Sequence, residues 1–332
     1  MNAVLIIDKP SGFTSHDVVA RVRRILHERS VGHLGTLDPM ATGVLPLVIG
    51  NMTRLAQFYL KSEKSYEGMI RFGFATDTYD AEGEPTGAPQ PASLTLEQVR
   101  QLATKFSGII DQMPPPFSAK KVAGVPAYKL ARKKKDVALS SVQVEIKSFE
   151  ILSIEDDRAS FRAQVASGTY MRSVAHDMGQ LAGCGAHLQS LRRTAVAEFS
   201  LEDAHSLEEL ERAAHNLKAF ERAGCRQAED RGGNSESGNR EKNNLHDNDR
   251  EQTDESFNPI DALFVHPRKL LPSLPAVTAN DEMLARIRHG RPVNLPELSR
   301  AREVKVFSGQ RDLIAICTRV AGTLFHSKIV LL

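Results

Sequence analysis

The chain has 332 residues, 41% of them hydrophobic and 25% charged. This is enough to build one large and one small domain with real cores and excludes a chain disordered throughout. Its 43 basic and 41 acidic residues give a net charge of +2, which excludes a polycation that coats nucleic acid along its whole length but leaves room for local basic surfaces. Val4-Leu5-Ile6-Ile7 reads as a first strand, not a signal peptide, ended by the turn cluster Asp8 to Gly12. Ser15 is placed to cap a helix carrying Val18, Val19, Val22, Ile25 and Leu26 on one face. Val44 to Ile49 is a strand in which Pro46 marks an edge or a bulge. Tyr66, Gly68, Ile70, Phe72 and Phe74 alternate along another strand. Thr95 and Gln98 form a capping box ahead of a helix that Gly108 is placed to stop. Strands are predicted at 142–152 and 159–167, a helix at 171–182 closed by Gly183, and a helix at 206–223. After 257 come a helix near 281–288, stopped by Gly290, and strands near 303–307, 312–318 and 323–331.

These elements lack a strict βαβ rhythm. They predict an α+β fold with a mainly antiparallel mixed sheet flanked by helices in residues 1–224, and a small β-rich module in 257–332. Between them, residues 225–256 hold five basic and nine acidic residues, and Leu245 is the only aliphatic residue there larger than alanine. Such a segment buries too little to offset ordering entropy and is predicted to be a disordered linker or insertion. Cys184, Cys225 and Cys317 lie far apart with no Cys-x-x-Cys spacing, and no apolar run reaches about 18 residues. The expectation is a reducing, cytoplasmic compartment and no membrane span.

The most unusual stretch runs Gly32-His33-Leu34-Gly35-Thr36-Leu37-Asp38-Pro39-Met40-Ala41-Thr42-Gly43. Its glycines and proline suit a tight functional loop. Asp38, held extended by Pro39, either presents its carboxylate to a ligand or closes an Asx turn on local amides. Tyr66 is either a ligand-facing aromatic or strand packing. His33 is a binding residue or a satisfied loop or capping histidine. Asp80 is a ligand contact or a turn aspartate.

With Ala41-Thr42-Gly43-Val44-Leu45-Pro46 following, that stretch closely resembles the signature of the TruB family, bacterial tRNA pseudouridine synthases acting on uridine 55 of the T loop. Further ordered matches are Leu5 to Ser15, Lys64-Ser65-Tyr66, Thr76 to Gly83, Ser167 to Ser173, Gly183 to Leu188 and Ser190-Leu191-Arg192-Arg193. The segment from 267 is similar to the family's PUA-like RNA-binding domain. The resemblance implies a pseudouridine synthase fold and an isomerase that flips uridine out of the RNA. It implies Asp38 as the catalytic carboxylate, Tyr66 as the tyrosine stacked on the uracil, and Arg172 as the arginine paired with Asp38. The pairing would keep Asp38 ionised in a partly dry site. For substrate binding it implies His33, Asp80, Tyr170 and Leu191, with Lys9 and Pro10 in a motif that supports the catalytic loop. Tyr170 would share a face with Arg172 if that stretch is extended, and Leu191 is equally readable as a core leucine. The reaction breaks N1–C1′ and forms C5–C1′, so the resemblance implies no cofactor and no metal. The 11 histidines show no ligand spacing.

RNA binding has a charge signature of its own. Residues 118–135 carry Lys120, Lys121, Lys129, Arg132 and Lys133 to Lys135, with Phe117 and Tyr128 interleaved and no acid, after Pro114-Pro115-Pro116. The pattern fits a mobile arm gripping phosphates and resembles the family's thumb, an insertion at about 112–138. Residues 265–332 add 11 basic against five acidic residues. Lys120, Lys121, Lys129 and Arg132 are therefore the expected RNA-backbone contacts. The expected partner is the T arm of tRNA, bound by a monomer with no obligate protein partner. The competing readings are a non-catalytic tRNA-binding or tRNA-folding protein on the same scaffold, a guide-RNA-dependent pseudouridine synthase, and a carboxylate-nucleophile hydrolase.

Overall fold

The structure, a computed structural model, describes residues 1–118, 140–217 and 259–332, and the backbone of 121–122 and 125–126. The first region contains β1 (Ala3–Lys9), α1 (Ser15–Leu26), β2 (Val31–His33), β3 (Thr42–Ile49), α2 (Ala56–Tyr59), β4 (Lys64–Phe72), α3 (Leu96–Ala103) and β5 (Gly108–Gln112). After these come the short pair β6 (Lys121–Val122) and β7 (Val125–Pro126), then β8 (Val142–Glu155), β9 (Arg158–Val165), α4 (Met171–Ala182), β10 (Ala186–Val196), β11 (Phe199–Ser200) and β12 (Ala204–His205). A helix, α5, is described over 207–217. Ten strands form one sheet in the order β12-β1-β3-β10-β4-β9-β8-β5, with β11 on β10 and β2 on β3. Only β1 with β12 and β3 with β10 run parallel, so the sheet is mixed and mainly antiparallel.

The second region holds β13 (Ala276–Thr278), α6 (Asp281–Arg288), β14 (Val293–Asn294), β15 (Glu303–Ser308), β16 (Asp312–Ala321) and β17 (Leu324–Val330). Its five strands are ordered β13-β15-β16-β17-β14. The two regions share a core. Along β1, Leu5 and Ile7 pack against the helices with Val18 and Val22. Val4 and Ile6, pointing the other way, pack with Val44 and Val48 of β3 and with Leu270, Phe307 and Ile329 of the second region. A strand buried on both faces needs a continuous apolar run and not an alternating one, which explains Val4-Leu5-Ile6-Ile7.

Several local expectations are corrected. The cap of α1 is Thr14, in a capping box with Asp17. Ser15 is the first helical residue, and its hydroxyl instead binds the loop before β3. Pro46 is at neither an edge nor a bulge, because β3 is paired on both sides with an unbroken register to β1. Its missing N–H faces the gap where β2 ends and β10 has not begun, and its carbonyl accepts from Leu34 N–H at 2.9 Å. Gly108 does not stop α3, which ends at Ala103 and tightens into a 3-10 turn over Thr104–Phe106. Phe74 lies beyond the end of β4. The extended backbone does not reach Arg172, since Tyr170, itself extended, holds the N-cap position of α4 and Arg172 is the second residue of the helix. The linker 225–256 lies outside the described residues, as do Lys120, Lys129 and Arg132. Of Lys121 only the backbone, in β6, is described.

Candidate active site

The loop between β2 and β3 is fixed from three sides. Leu37 N–H donates to Ser15 Oγ at 2.8 Å, tying the loop to α1. Lys9, at the end of β1 and fully buried, donates its ammonium to Pro39 O at 3.0 Å, Phe13 O at 2.6 Å and Pro10 O at 2.9 Å. Arg193 of β10, also fully buried, donates to Gly35 O at 3.0 Å, Thr36 O at 3.2 Å and Val44 O at 2.8 Å. A Cβ on Gly43 would lie 2.2 Å from Arg193 O, so only glycine lets β3 approach β10 closely enough for this grip. Asp38 rises from a loop held through the backbone groups of Gly35, Thr36, Leu37 and Pro39.

The Asp38 carboxylate faces Arg172 and not the loop amides. Arg172 Nη2 donates to Asp38 Oδ1 at 2.9 Å, and Nε stands 2.9 Å from Oδ2. The other edge of the guanidinium serves Asp80, 3.5 Å away, along with Thr78 O at 3.2 Å and Phe117 O at 3.0 Å. Arg172 is 5% exposed at the side chain and Asp38 32%, so the arginine is internal and the aspartate is the member of the pair that meets the cleft. Burial and the Asp80 charge push the Asp38 carboxyl up from its ordinary value, and Arg172 opposes them. A guanidinium on both oxygens, with one side of the carboxylate open to solvent, favours the ionised form.

Local chain geometry supports this cluster. Tyr79 has φ of 66°, a costly conformation for a bulky residue. That turn puts Thr78 O and Asp80 on Arg172, while the Tyr79 ring stacks on His176 with centroids 3.7 Å apart. Asp80 also closes its own turn, accepting from Thr78 Oγ1 at 2.5 Å and Glu82 N–H at 3.1 Å. The turn reading of Asp80 thus describes its contacts, to which the fold adds Arg172. The start of α4 is clamped by Gln112, whose amide accepts from Tyr170 N–H at 2.8 Å and donates to Tyr170 O at 3.1 Å.

A cleft of about 400 Å³ opens beside Asp38, lined also by His33, Tyr66, Tyr170, Arg172 and Leu191. Six of the residues singled out from sequence thus converge from β2, the following loop, β4, α4 and β10. Asp80 and Lys9 stand behind the cleft wall. Tyr66 is buried and belongs both to the core and to the cleft, so packing and ligand contact are not alternatives for it. Burial raises its phenol pKa, and the neighbouring Arg193 guanidinium draws it back down. His33 ends β2, and its Nδ1 accepts from Gly35 N–H at 3.3 Å. Burial and the Arg193 charge lower its pKa, which favours a neutral ring with the proton on Nε2. The C-cap of α1 is His27, not His33.

Of the other residues in this arrangement, Gln112 is unmarked in the sequence, Ser15 reads there as a helix cap, and Lys64 and Arg193 stand in matched motifs without an assigned role. Lys64 lines the cleft two residues before Tyr66 on the same strand face. Period-two spacing from Tyr66 was the available signal for Lys64. Nothing local marks the contacts of Ser15, Gln112 and Arg193, whose partners lie 22 to 158 residues away.

Residues 23–171 match the model of the TruB family pseudouridylate synthase N-terminal domain, and 172–225 match the tRNA pseudouridylate synthase B C-terminal domain. The second match ends at residue 225 and does not extend to the module after 259. The chain is 44% identical over 335 aligned residues, covering all of both proteins, to tRNA pseudouridine synthase B of Solibacter usitatus. It is 44% identical over 211 residues to the protein of that name from Aquifex aeolicus, covering 63% of this chain and 73% of that one. Among solved structures, it superposes on a chain of an H/ACA ribonucleoprotein bound to a substrate RNA containing 2′-deoxyuridine. The TM-score is 0.65 at 23% identity, with 99% of this chain and 85% of that one covered. A chain of the archaeal box H/ACA Nop10–Cbf5 complex gives 0.64 at 23% identity, covering 99% and 86%. These two likenesses speak to the fold alone.

Proposed function

Because the chain belongs to the TruB family of pseudouridylate synthases and is an isomerase of uridine in tRNA, we propose that its target is uridine 55 of the T loop and that Asp38 is its catalytic carboxylate. The observation carrying this reading is the Asp38–Arg172 pair at 2.9 Å, mounted on a fully anchored loop and open to a cleft walled by Tyr66 and Leu191. Breaking N1–C1′ and rejoining C1′ to C5 requires a group that forms a covalent bond or offsets positive charge at C1′, and then loss of the C5 proton. An ionised carboxylate serves either course. Arg172 supplies the ionised state and fixes its direction. A cleft of this size admits the uracil only after it leaves its stack, and Tyr66 and Leu191 provide the apolar walls against which its ring rests.

RNA capture is assigned to the basic segment with Lys120, Lys121, Lys129 and Arg132, and to the basic module after 259, read as PUA-like. The foot of that basic segment touches the site directly, through Phe117 O on Arg172 and Met113 O on Ser173 Oγ at 2.7 Å. We assign the protein to the cytoplasm, acting as a monomer on bare tRNA. Among the described residues no helix is long and apolar enough to cross a membrane.

The deciding experiment incubates the full chain alone with a T-arm transcript tritiated at uracil C5. Tritium release by the wild type and none by Asp38→Asn, with RNA affinity retained, is the expected result. Turnover by Asp38→Asn removes the catalytic role. Wild-type activity only with an added guide RNA identifies the guided class, and release of free uracil identifies a hydrolase.

A further inference from the structure

The two ends of the cleft differ in charge balance. At one end Arg172 is neutralised by Asp38 and Asp80. At the other, two cations stand together over Gly35. A Cβ on that glycine would lie 3.4 Å from Lys64 Cε and 3.5 Å from Arg193 Nη1. Arg193 spends its donors on backbone carbonyls and on Tyr66. Lys64 donates to Ser62 O at 2.9 Å. Neither forms an ion pair among the described residues. The adjacent carboxylate, Glu63, is taken by Lys147 and Gln164. A buried cation without a counter-charge is costly. Fully buried Arg193 beside half-buried Lys64, which reaches into the cleft, forms a receptor for an anion.

We propose that Lys64, backed by the fixed charge of Arg193, binds a phosphodiester of the RNA next to the target uridine. The cleft then reads a nucleotide within a strand and not a free nucleobase. Geometry limits the contact to Lys64, because Arg193 is fully buried and its N–H groups are committed. Arg193 acts through the field it adds. Burial and Arg193 lower the Lys64 pKa to about 8, and an anion beside the ammonium would raise it again. This assignment rests on the reading of the Asp38 cleft as the uridine site.

The test measures Kd for a T-arm transcript against salt with wild type, Lys64→Met and Lys64→Arg. It repeats the measurement with RNAs carrying one uncharged methylphosphonate at each linkage flanking the target uridine. Lys64→Met should weaken binding about tenfold or more, the loss expected for a charge-assisted hydrogen bond. It should also lower the slope of log Kd on log salt by about 0.7, one phosphate's worth for single-stranded RNA. Lys64→Arg should keep the slope. One methylphosphonate should weaken wild-type binding and leave Lys64→Met unaffected. An unchanged slope in Lys64→Met, or neutral linkages that penalise both proteins equally, overturns the assignment. The methylphosphonate scan on wild type stands even if the variant folds poorly, because no penalty at either flanking linkage is itself contrary. If wild type does not isomerise uridine in the unmodified transcript, the uridine-site reading fails instead.

Discussion

Arg172 holds Asp38 with one edge of its guanidinium, at 2.9 Å, and faces Asp80 with the other, at 3.5 Å. One internal cation is thus shared by a cleft-facing carboxylate and a buried one. Removing it leaves two like charges close together with nothing between them, the costly case for buried ion pairs.

Arg172→Met should therefore destabilise the protein by about 3–5 kcal/mol and abolish uridine isomerisation. Adding Asp80→Asn should recover part of the stability and none of the activity, because Asp38 still lacks its partner. Urea unfolding of the single and double variants checks the first point and tritium release the second. Equal stability of Arg172→Met and wild type would show that the pair contributes nothing to the fold.

Lys9 gives a pH prediction. Burial lowers its pKa from 10.5 to about 8, so between pH 8 and 10.5 the unfolded chain binds more protons at this site than the folded one. The Lys9 contribution to stability is at its least favourable below pH 8 and rises through that window, by up to about 1.4 kcal/mol per pH unit. The unfolding free energy of wild type minus that of Lys9→Met should climb from pH 8 to 10. A neutral amine has two N–H groups for the three carbonyls that the ammonium holds. Wild-type activity should therefore decline over the same range as the loop slackens at Pro39. A stability difference that is flat or falls with pH contradicts the burial argument.

The shared core makes the C-terminal module part of the folding unit. Deleting residues from 259 onward uncovers Val4, Ile6, Val44 and Val48, each no more than 1% exposed in the full chain. The loss is about 1.5–3 kcal/mol for each side chain fully re-exposed. The truncated protein should melt well below the full chain or be recovered as aggregate, as judged by thermal unfolding and gel filtration. A truncation that melts at the full-chain temperature would show the two regions to be independent.

Sequence by itself determined what is encoded over short distances. The capping box at Thr95 and Gln98 and the Gly183 stop of α4 (φ 76°) are local backbone chemistry. Period-two patterning placed β4, and the ordered motifs picked out Asp38, Tyr66 and Arg172. The charge of the whole chain was legible too. Its net of +2 conceals an acidic 225–256 segment, and the remaining 38 basic and 32 acidic residues make a basic protein.

Tertiary structure alone decided what each polar side chain does. Ser15 looks like a helix cap and is a loop tether, because Thr14 with Asp17 makes the better capping box and frees the Ser15 hydroxyl for Leu37. Lys9 stands in a motif read as support for the Asp38 loop, and the fold makes it a buried hub for three carbonyls. Arg193 stands in a matched motif that assigns it no role, and the fold shows that it joins β10 to a loop 157 residues earlier. A hydrogen bond or ion pair depends on where two groups meet in space, and pairs so far apart in sequence meet only once the sheet brings β3, β10 and β4 side by side.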